Sequence, residues 1–518
     1  MKNRMKSRFL ILPLVLLCQT LSAVAQAFAQ AFAQPMLDLQ QPTSTLQRAW
    51  QRGELRERGS IGFFGTHAQG AFRQPQEAAS ETQGGFAAQG VKRLSGWLLT
   101  GNFRYGRTGQ DSVRLTTVAN ALNRNPYILT DTSGGVWLRD DIALETALCT
   151  PLVADAWTFG VRLNYGVGQG ARRNDPRPLF RYRALGITPS LTWKIAPQHS
   201  IGAALELHDS REEAELGFFA NDYSFVWRMR GLASYDRIPL VSSQRITLNR
   251  TLGAGLHYEF ENFDNAEERV TAVVRGYSRV DSVRDGVAEP QFAGAYIEQG
   301  AQMLASVSSR GTVFGAEGRQ ELRVAASALT GRGIDPIFRA ANITDTRLNA
   351  SLTGRFRTAA ASYNSPSDAA LTPFDAALTL GFDLADRRDI AADIRSSVAA
   401  LNADVSLGGA SVLDSSHVVD WRTGAGFRAP LSAAFLRNPS LPISALERAL
   451  AVPDFEIRSA RVFTADGQIA FAWKADEWKA DAAQGLWLRV GVGGSIAASN
   501  HVLYTFRASV RGFFEILL

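Results

Sequence analysis

The feature that most constrains this chain is an apolar/polar alternation with a period of two, repeated along most of its length. In one run Trp157, Phe159, Val161, Leu163 and Tyr165 face away from Thr158, Arg162 and Asn164. In others Leu185, Ile187, Leu191 and Trp193 alternate with Gly186, Thr188 and Thr192, and Leu348, Ala350, Leu352 and Phe356 with Asn349, Thr353, Arg355 and Arg357. Residues two apart share one face of a β-strand, so each run predicts a strand with one apolar and one polar face. The pattern predicts a closing strand at Val502–Leu518, with Tyr504, Phe506, Phe514 and Ile516 on its apolar side.

A chain of 518 residues exceeds what one soluble core holds, about 250–300 residues. Either several domains or one large barrel would accommodate it. Three features favour a membrane barrel. Polar residues recur on one face of nearly every strand. Connections alternate in length, short at 95–96, 151–156 and 196–200 and long at 109–135, 169–180 and 209–249. Trp97, Trp157, Trp193 and Trp473 sit on apolar faces beside the short connections, where an interfacial aromatic girdle belongs. In hydrocarbon an unpaired backbone group costs several kcal/mol, so such strands must close into a ring. The expected fold is therefore all-β, a closed antiparallel transmembrane β-barrel with an even number of strands, about 14–18.

Lys2, Arg4, Lys6 and Arg8 precede an apolar run, Phe9–Leu17, and the small residues Ala23-Val24-Ala25. This order predicts an export signal over residues 1–25, followed by a periplasmic extension at 26–58 and the barrel at 59–518. Removal of those four bases lowers the net charge from +6 to +2, and no concentrated basic face is visible, which argues against a nucleic-acid partner. Cys18 leaves with the signal, so Cys149 has no disulfide partner. The expected location is the outer membrane of a Gram-negative bacterium, with lipid as the surrounding partner and both termini periplasmic.

Catalytic signals are sparse. The six histidines lack metal-ligand spacing, and His208-Asp209-Ser210 resembles a catalytic set only in its letters, because triad members come from separated positions. No cofactor, metal or enzymatic activity is expected. Arg104, Arg162, Glu206, Arg355, Arg357 and Asp383 fall on polar faces and are expected to line the lumen, as ion pairs stiffening it or as charges setting the selectivity of a passage. Tyr127, Phe219, Tyr223 and Trp227 fall in the long connections as candidates for external binding, for folding inward as a constriction, or for packing loops together.

Asn125-Pro126-Tyr127, followed by Asp131 and Ser133-Gly134-Gly135, and then Asp175-Pro176-Arg177-Pro178 after the next hairpin, form a set of loop motifs. In these motifs and in its order of hairpins the chain resembles an outer-membrane β-barrel family of Bacteroidota whose function is unknown. The resemblance implies location and fold and supplies no activity. Three functions follow from the architecture: passage or surface binding of a small polar or amphipathic solute, a non-conducting barrel serving an assembly or secretion system, or a barrel hydrolase.

Overall fold

A computed structural model describes residues 42–51, 55–217, 225–239, 242–262, 268–286, 289–313, 316–358, 374–414, 416–475, 486–501 and 503–517. Strands β1 (Arg58–Gly70), β2 (Ser80–Leu94) and β3 (Trp97–Val113) open the chain. After the short β4 (Leu129–Thr130) come β5 (Gly135–Cys149), β6 (Trp157–Arg172), β7 (Arg177–Ala196) and β8 (His199–Gly217). Two more short strands follow, β9 (Phe225–Met229) and β10 (Tyr235–Pro239). The series then continues with β11 (Ser242–Asn262), β12 (Glu268–Asp285), β13 (Gln291–Val313), β14 (Ala316–Ile334), β15 (Ala341–Thr358) and β16 (Phe374–Asp389). It ends with β17 (Ile394–Asp414), β18 (His417–Arg437), β19 (Val462–Ala475), β20 (Leu486–Ser499) and β21 (Phe506–Leu517).

All but β4, β9 and β10 join one 18-stranded antiparallel sheet. Each long strand pairs with its neighbours in sequence, and β21 pairs with both β20 and β1, from Ser60↔Leu517 to Gly70↔Arg507. The sheet is thus a closed barrel, at the upper end of the expected strand count. Closure leaves no strand edge unpaired, which suits a fold without disulfides. We call the end carrying Arg58 and Leu517 the lower end.

The outward face is apolar. Leu205, Leu252 and Leu256 are 56%, 61% and 64% exposed, a degree of apolar exposure that water alone would not favour. Trp97 and Trp193 are exposed at the lower end, where Trp157 and Trp193 stack with ring centroids 5.3 Å apart. The inward face carries the charges: Glu259, Glu298, Arg245 and Arg511 are all buried.

Three boundaries differ from the alternation. The last strand begins at Phe506, not Val502; Tyr504 lies in the preceding link, stacked on His501 at 4.9 Å. The segment 169–180, expected as a long loop, is mostly strand, because β6 and β7 extend until only 173–176 connects them. The connections expected at 109–135 and 209–249 shrink to 114–134 and 218–241 as their flanking strands lengthen. The rhythm is also less regular than expected: 359–373 and 476–485 connect strands at the lower end, while 390–393 is a brief link at the upper end.

The described part of the N-terminal extension packs inside the barrel. A 3-10 turn (Thr43–Thr45) leads into α1 (Leu46–Gln51). The Ser44 amide donates to Ser190 Oγ at 2.9 Å, and Thr158 Oγ1 donates to the Ser44 carbonyl at 2.7 Å. Arg48 lies 2.7 Å from Glu261 and 3.3 Å from Glu259. A Cβ on Gly160 would come within 2.5 Å of the Ser44 nitrogen, so the wall needs glycine where the segment lies against it. Leu46 and Leu55 pack on Val91, Leu98, Ala147 and Cys149 of the inner wall.

Candidate functional site

The upper mouth is filled by its own connections. β4, β9 and β10 form a small antiparallel sheet, and Leu115, Val118, Ile128 and Met229 cluster with Leu446 and Leu450 from the connection 438–461. That connection carries a π-helical turn (Glu447–Ala451) continuing into a short helix, α2 (Val452–Ser459). It is fastened by Arg437 to Glu447 at 3.1 Å and by the Ser444 hydroxyl donating to the Ala233 carbonyl at 2.9 Å. Together these segments make a plug.

The wall holds the plug largely by its backbone. Arg139 Nη1 donates to the Ala119 carbonyl at 2.7 Å, Arg279 to the Asn123 carbonyl at 3.3 Å, and Arg387 Nη2 to the Arg124 carbonyl at 2.6 Å. The Ala119 amide in turn donates to Glu212 at 2.9 Å. Inside a barrel these loop groups cannot all reach bulk water, so side chains of the wall satisfy them. On the next plug segment, Arg230 pairs with Asp335 at 3.1 Å, and the Ala233 amide donates to Asp389 at 3.1 Å.

The Asn125-Pro126-Tyr127 motif acquires a local reason here. Asn125 Oδ1 accepts from the Tyr127 amide at 3.0 Å, an Asx turn that directs the phenol toward the wall. Tyr127 is buried, and its ring seats where Gly294 and Gly333 carry no side chain. A Cβ on Gly294 would lie 2.5 Å from the ring, and the φ of +130° there also requires glycine. Burial and the nearby Asp335 and Asp389 push the Tyr127 phenol above its ordinary range.

Arg172, which the sequence reading missed, brings the other motif residues together. Its guanidinium pairs with Asp131 at 2.9 Å and donates to the carbonyls of Ser133 at 2.7 Å and Pro176 at 2.6 Å. Asp131 Oδ1 also accepts from the Ser133 amide at 2.7 Å. Burial raises the Asp131 carboxyl above the usual range even with Arg172 opposing it. Arg177 meets Asp175 at 2.9 Å, while Pro178 is buried at the start of β7. Trp227 lies in β9 against Tyr235, ring centroids 4.8 Å apart; Phe219 and Tyr223 lie outside the described residues.

The six lumen candidates point inward but do not converge. Arg104 bonds Gln83 at 3.0 Å and lies over the Phe64 ring. Arg162 is buried 3.7 Å from Glu145, near the N-terminal segment. Glu206 pairs with Arg275. Arg355 and Arg357 share Asp375, and Asp383 accepts from Asn402.

Among these six, only Asp383 reaches the cavity of about 460 Å³ beneath the plug. Five arginines line that cavity (Arg124, Arg347, Arg387, Arg428 and Arg458) against two aspartates, Asp383 and Asp454. Arg387 lies near the end of β16, two residues before Asp389, where the letters Asp386-Arg387-Arg388 mark charge without showing which way it points.

No curated protein matches the chain in sequence. Solved structures similar to it include the ferric yersiniabactin uptake receptor FyuA from Yersinia pestis, at 11% identity and a TM-score of 0.41 over 92% of this chain and 80% of that one. The ferric preacinetobactin receptor BauA from Acinetobacter baumannii gives 6% and 0.38 over 89% and 79%. A FadL homologue from Pseudomonas aeruginosa gives 9% and 0.28 over 89% of each. A family of unknown function, DUF6850, matches residues 49–509, nearly the whole barrel. The chain belongs to the DUF6850 family.

Proposed function

We propose that this chain is an integral outer-membrane barrel that admits a small polar solute to a chamber in its lumen, with the inward-folded connections acting as the closure. The apolar outer face and the tryptophans at one end support a bilayer around it. On this reading the lower end, with both termini, faces the periplasm of a Gram-negative cell. Residues 1–25 are the export signal, and the loop motifs favour Bacteroidota as the source.

The observation that carries the reading is the cavity itself, enclosed from above by segments held through replaceable polar contacts. Below it the wall is wetter, since the Arg355 and Arg357 side chains remain 39% and 58% exposed. The N-terminal segment occupies the opposite side of the lumen, against β5, β6 and β7, which favours a second reading: a non-conducting barrel stiffened from both ends.

Planar-bilayer conductance and liposome swelling with the full chain separate the two. The first reading expects little passage in the native protein and clear passage once the plug is released by substitution at Tyr127. A correctly folded, plug-released variant that passes neither ions nor sugars would leave the structural barrel as the better account.

A further inference from the structure

We propose that the lumenal chamber is an oxyanion site, taking a small solute with carboxylate or phosphate groups, and that Arg387 and Arg428 are its principal ligands. The inference rests on the reading of the cavity as a solute chamber.

The five arginines are not equivalent. Arg124 is paired with Glu298 at 2.9 Å, Arg347 with Asp345 at 3.4 Å, and Arg458 with Asp454 at 3.0 Å. Among the described residues, Arg387 and Arg428 have no carboxylate in ion-pair range. Their hydrogen bonds go to backbone carbonyls, of Arg124 at 2.6 Å and Arg458 at 2.5 Å. Arg387 Nε is buried and has no hydrogen-bond partner. A guanidinium always carries its charge, and leaving one inside a protein without a counter-charge is costly. Asp345 acts on Arg387 and Asp383 on Arg428 only through space, without pairing, so two such groups on one cavity wall favour an anion from outside the chain.

Both guanidiniums keep donors beyond those given to the plug, in the planar fork that matches a carboxylate or phosphate. Neutral polar solutes would leave the charge uncompensated. The volume, about 460 Å³, lies within the range of cavities that enclose small organic ligands and exceeds what a single inorganic ion needs. Asp383 lines the same cavity and accepts from Asn402, so it adds an acceptor and some repulsion. A solute carrying a hydroxyl beside its anionic groups answers both. Arg387 also holds the Arg124 carbonyl, so a bound anion would contact a residue that helps to fasten the plug.

The test is calorimetric titration of the full chain in detergent with citrate, inorganic phosphate and glucose, each protein first checked for heat-modifiable gel mobility. Citrate or phosphate is expected to bind and glucose not to. Arg387→Gln and Arg428→Gln should each weaken anion binding by about tenfold or more, the scale of a charge-assisted pair. Arg250→Gln, which removes an exposed charge paired with Asp209 outside the cavity, should leave it unchanged. Folded native protein that binds neither anion overturns the proposal, whatever the variants do, and so does binding that both glutamine variants retain at native strength. Liposome swelling of a plug-released variant distinguishes the two failures: sugar entry without anion binding sinks the oxyanion site alone. No entry of any solute sinks the chamber as well.

Discussion

The phenolic oxygen of Tyr127 lies 2.6 Å from the side-chain oxygen of Asn342, to which it donates, so the plug is joined to the inner wall at β15. Asn342 itself donates to the Arg230 carbonyl at 2.5 Å and to Asp335 at 3.2 Å, which ties two plug segments to one amide. Removing the Tyr127 ring should therefore loosen both. Tyr127→Ala is expected to cost roughly 3–5 kcal/mol locally, as for other buried aromatic truncations. Tyr127→Phe should cost about 1 kcal/mol. Open-channel events in bilayer recordings should be frequent in the alanine variant and rare in the phenylalanine one; equal, low conductance in both would remove Tyr127 as a latch.

Asp131→Asn should disorganise the connection before β5. Breaking a buried pair by deleting one partner costs about 3–5 kcal/mol, and Arg172 would keep only its carbonyl partners. Limited proteolysis of the folded protein is expected to cut within 114–134 at least several times faster in the variant. An unchanged cleavage rate would mean that the carbonyls of Ser133 and Pro176 suffice to hold Arg172.

The N-terminal segment can be followed through Cys149, which is buried beneath it with Sγ 3.7 Å from the Ser44 carbonyl. In folded native protein this thiol should resist a maleimide reagent. Gly160→Val places side-chain atoms where the Ser44 backbone lies and should displace the segment, making Cys149 reactive without loss of the barrel. Rapid labelling of the native protein would show that the segment leaves the wall by itself.

Leu256→Arg should weaken folding into bilayers by about 2–4 kcal/mol if that mid-strand position meets the hydrocarbon. His257→Ala, on the opposite face of the same strand, should not share that depth-dependent penalty. Denaturant titration in lipid vesicles gives the comparison, and near-native stability of the arginine variant would contradict a membrane around β11.

The barrel was legible because a closed sheet with one apolar outer face imposes one rule on every strand, and period two follows from it. Trp157 and Trp193 were placed correctly from their faces alone, and they stack across the β6–β7 pair. Strand ends were less legible. Alternation continues through residues such as Tyr504 that turn away, and β6 and β7 pair beyond the hydrophobic stretch, where no apolar face is required. The plug was least legible, since its contacts join positions far apart in the chain. Arg172 fell in a segment expected to be a loop and Arg387 past the last alternating apolar residue of its strand; only the folded chain sets them against loop carbonyls from 114–134. For Tyr127 the letters left an external, an inward-folded and a loop-packing placement open, and only the contacts with Gly294, Gly333 and Asn342 choose among them.

The pairing of β1 with β21 has a consequence for biogenesis. Ser60 and Leu517 are register partners at the two extremes of the sheet, so the closing contact has the longest sequence separation in the ring. Until β21 arrives, β1 presents an unmet row of backbone donors and acceptors, a template for pairing with any other unfolded strand. A helper that guards or occupies that edge during insertion would shorten the vulnerable interval. Shortening β21 by a few residues at its lower end should send newly made chains to degradation rather than yield a smaller closed barrel.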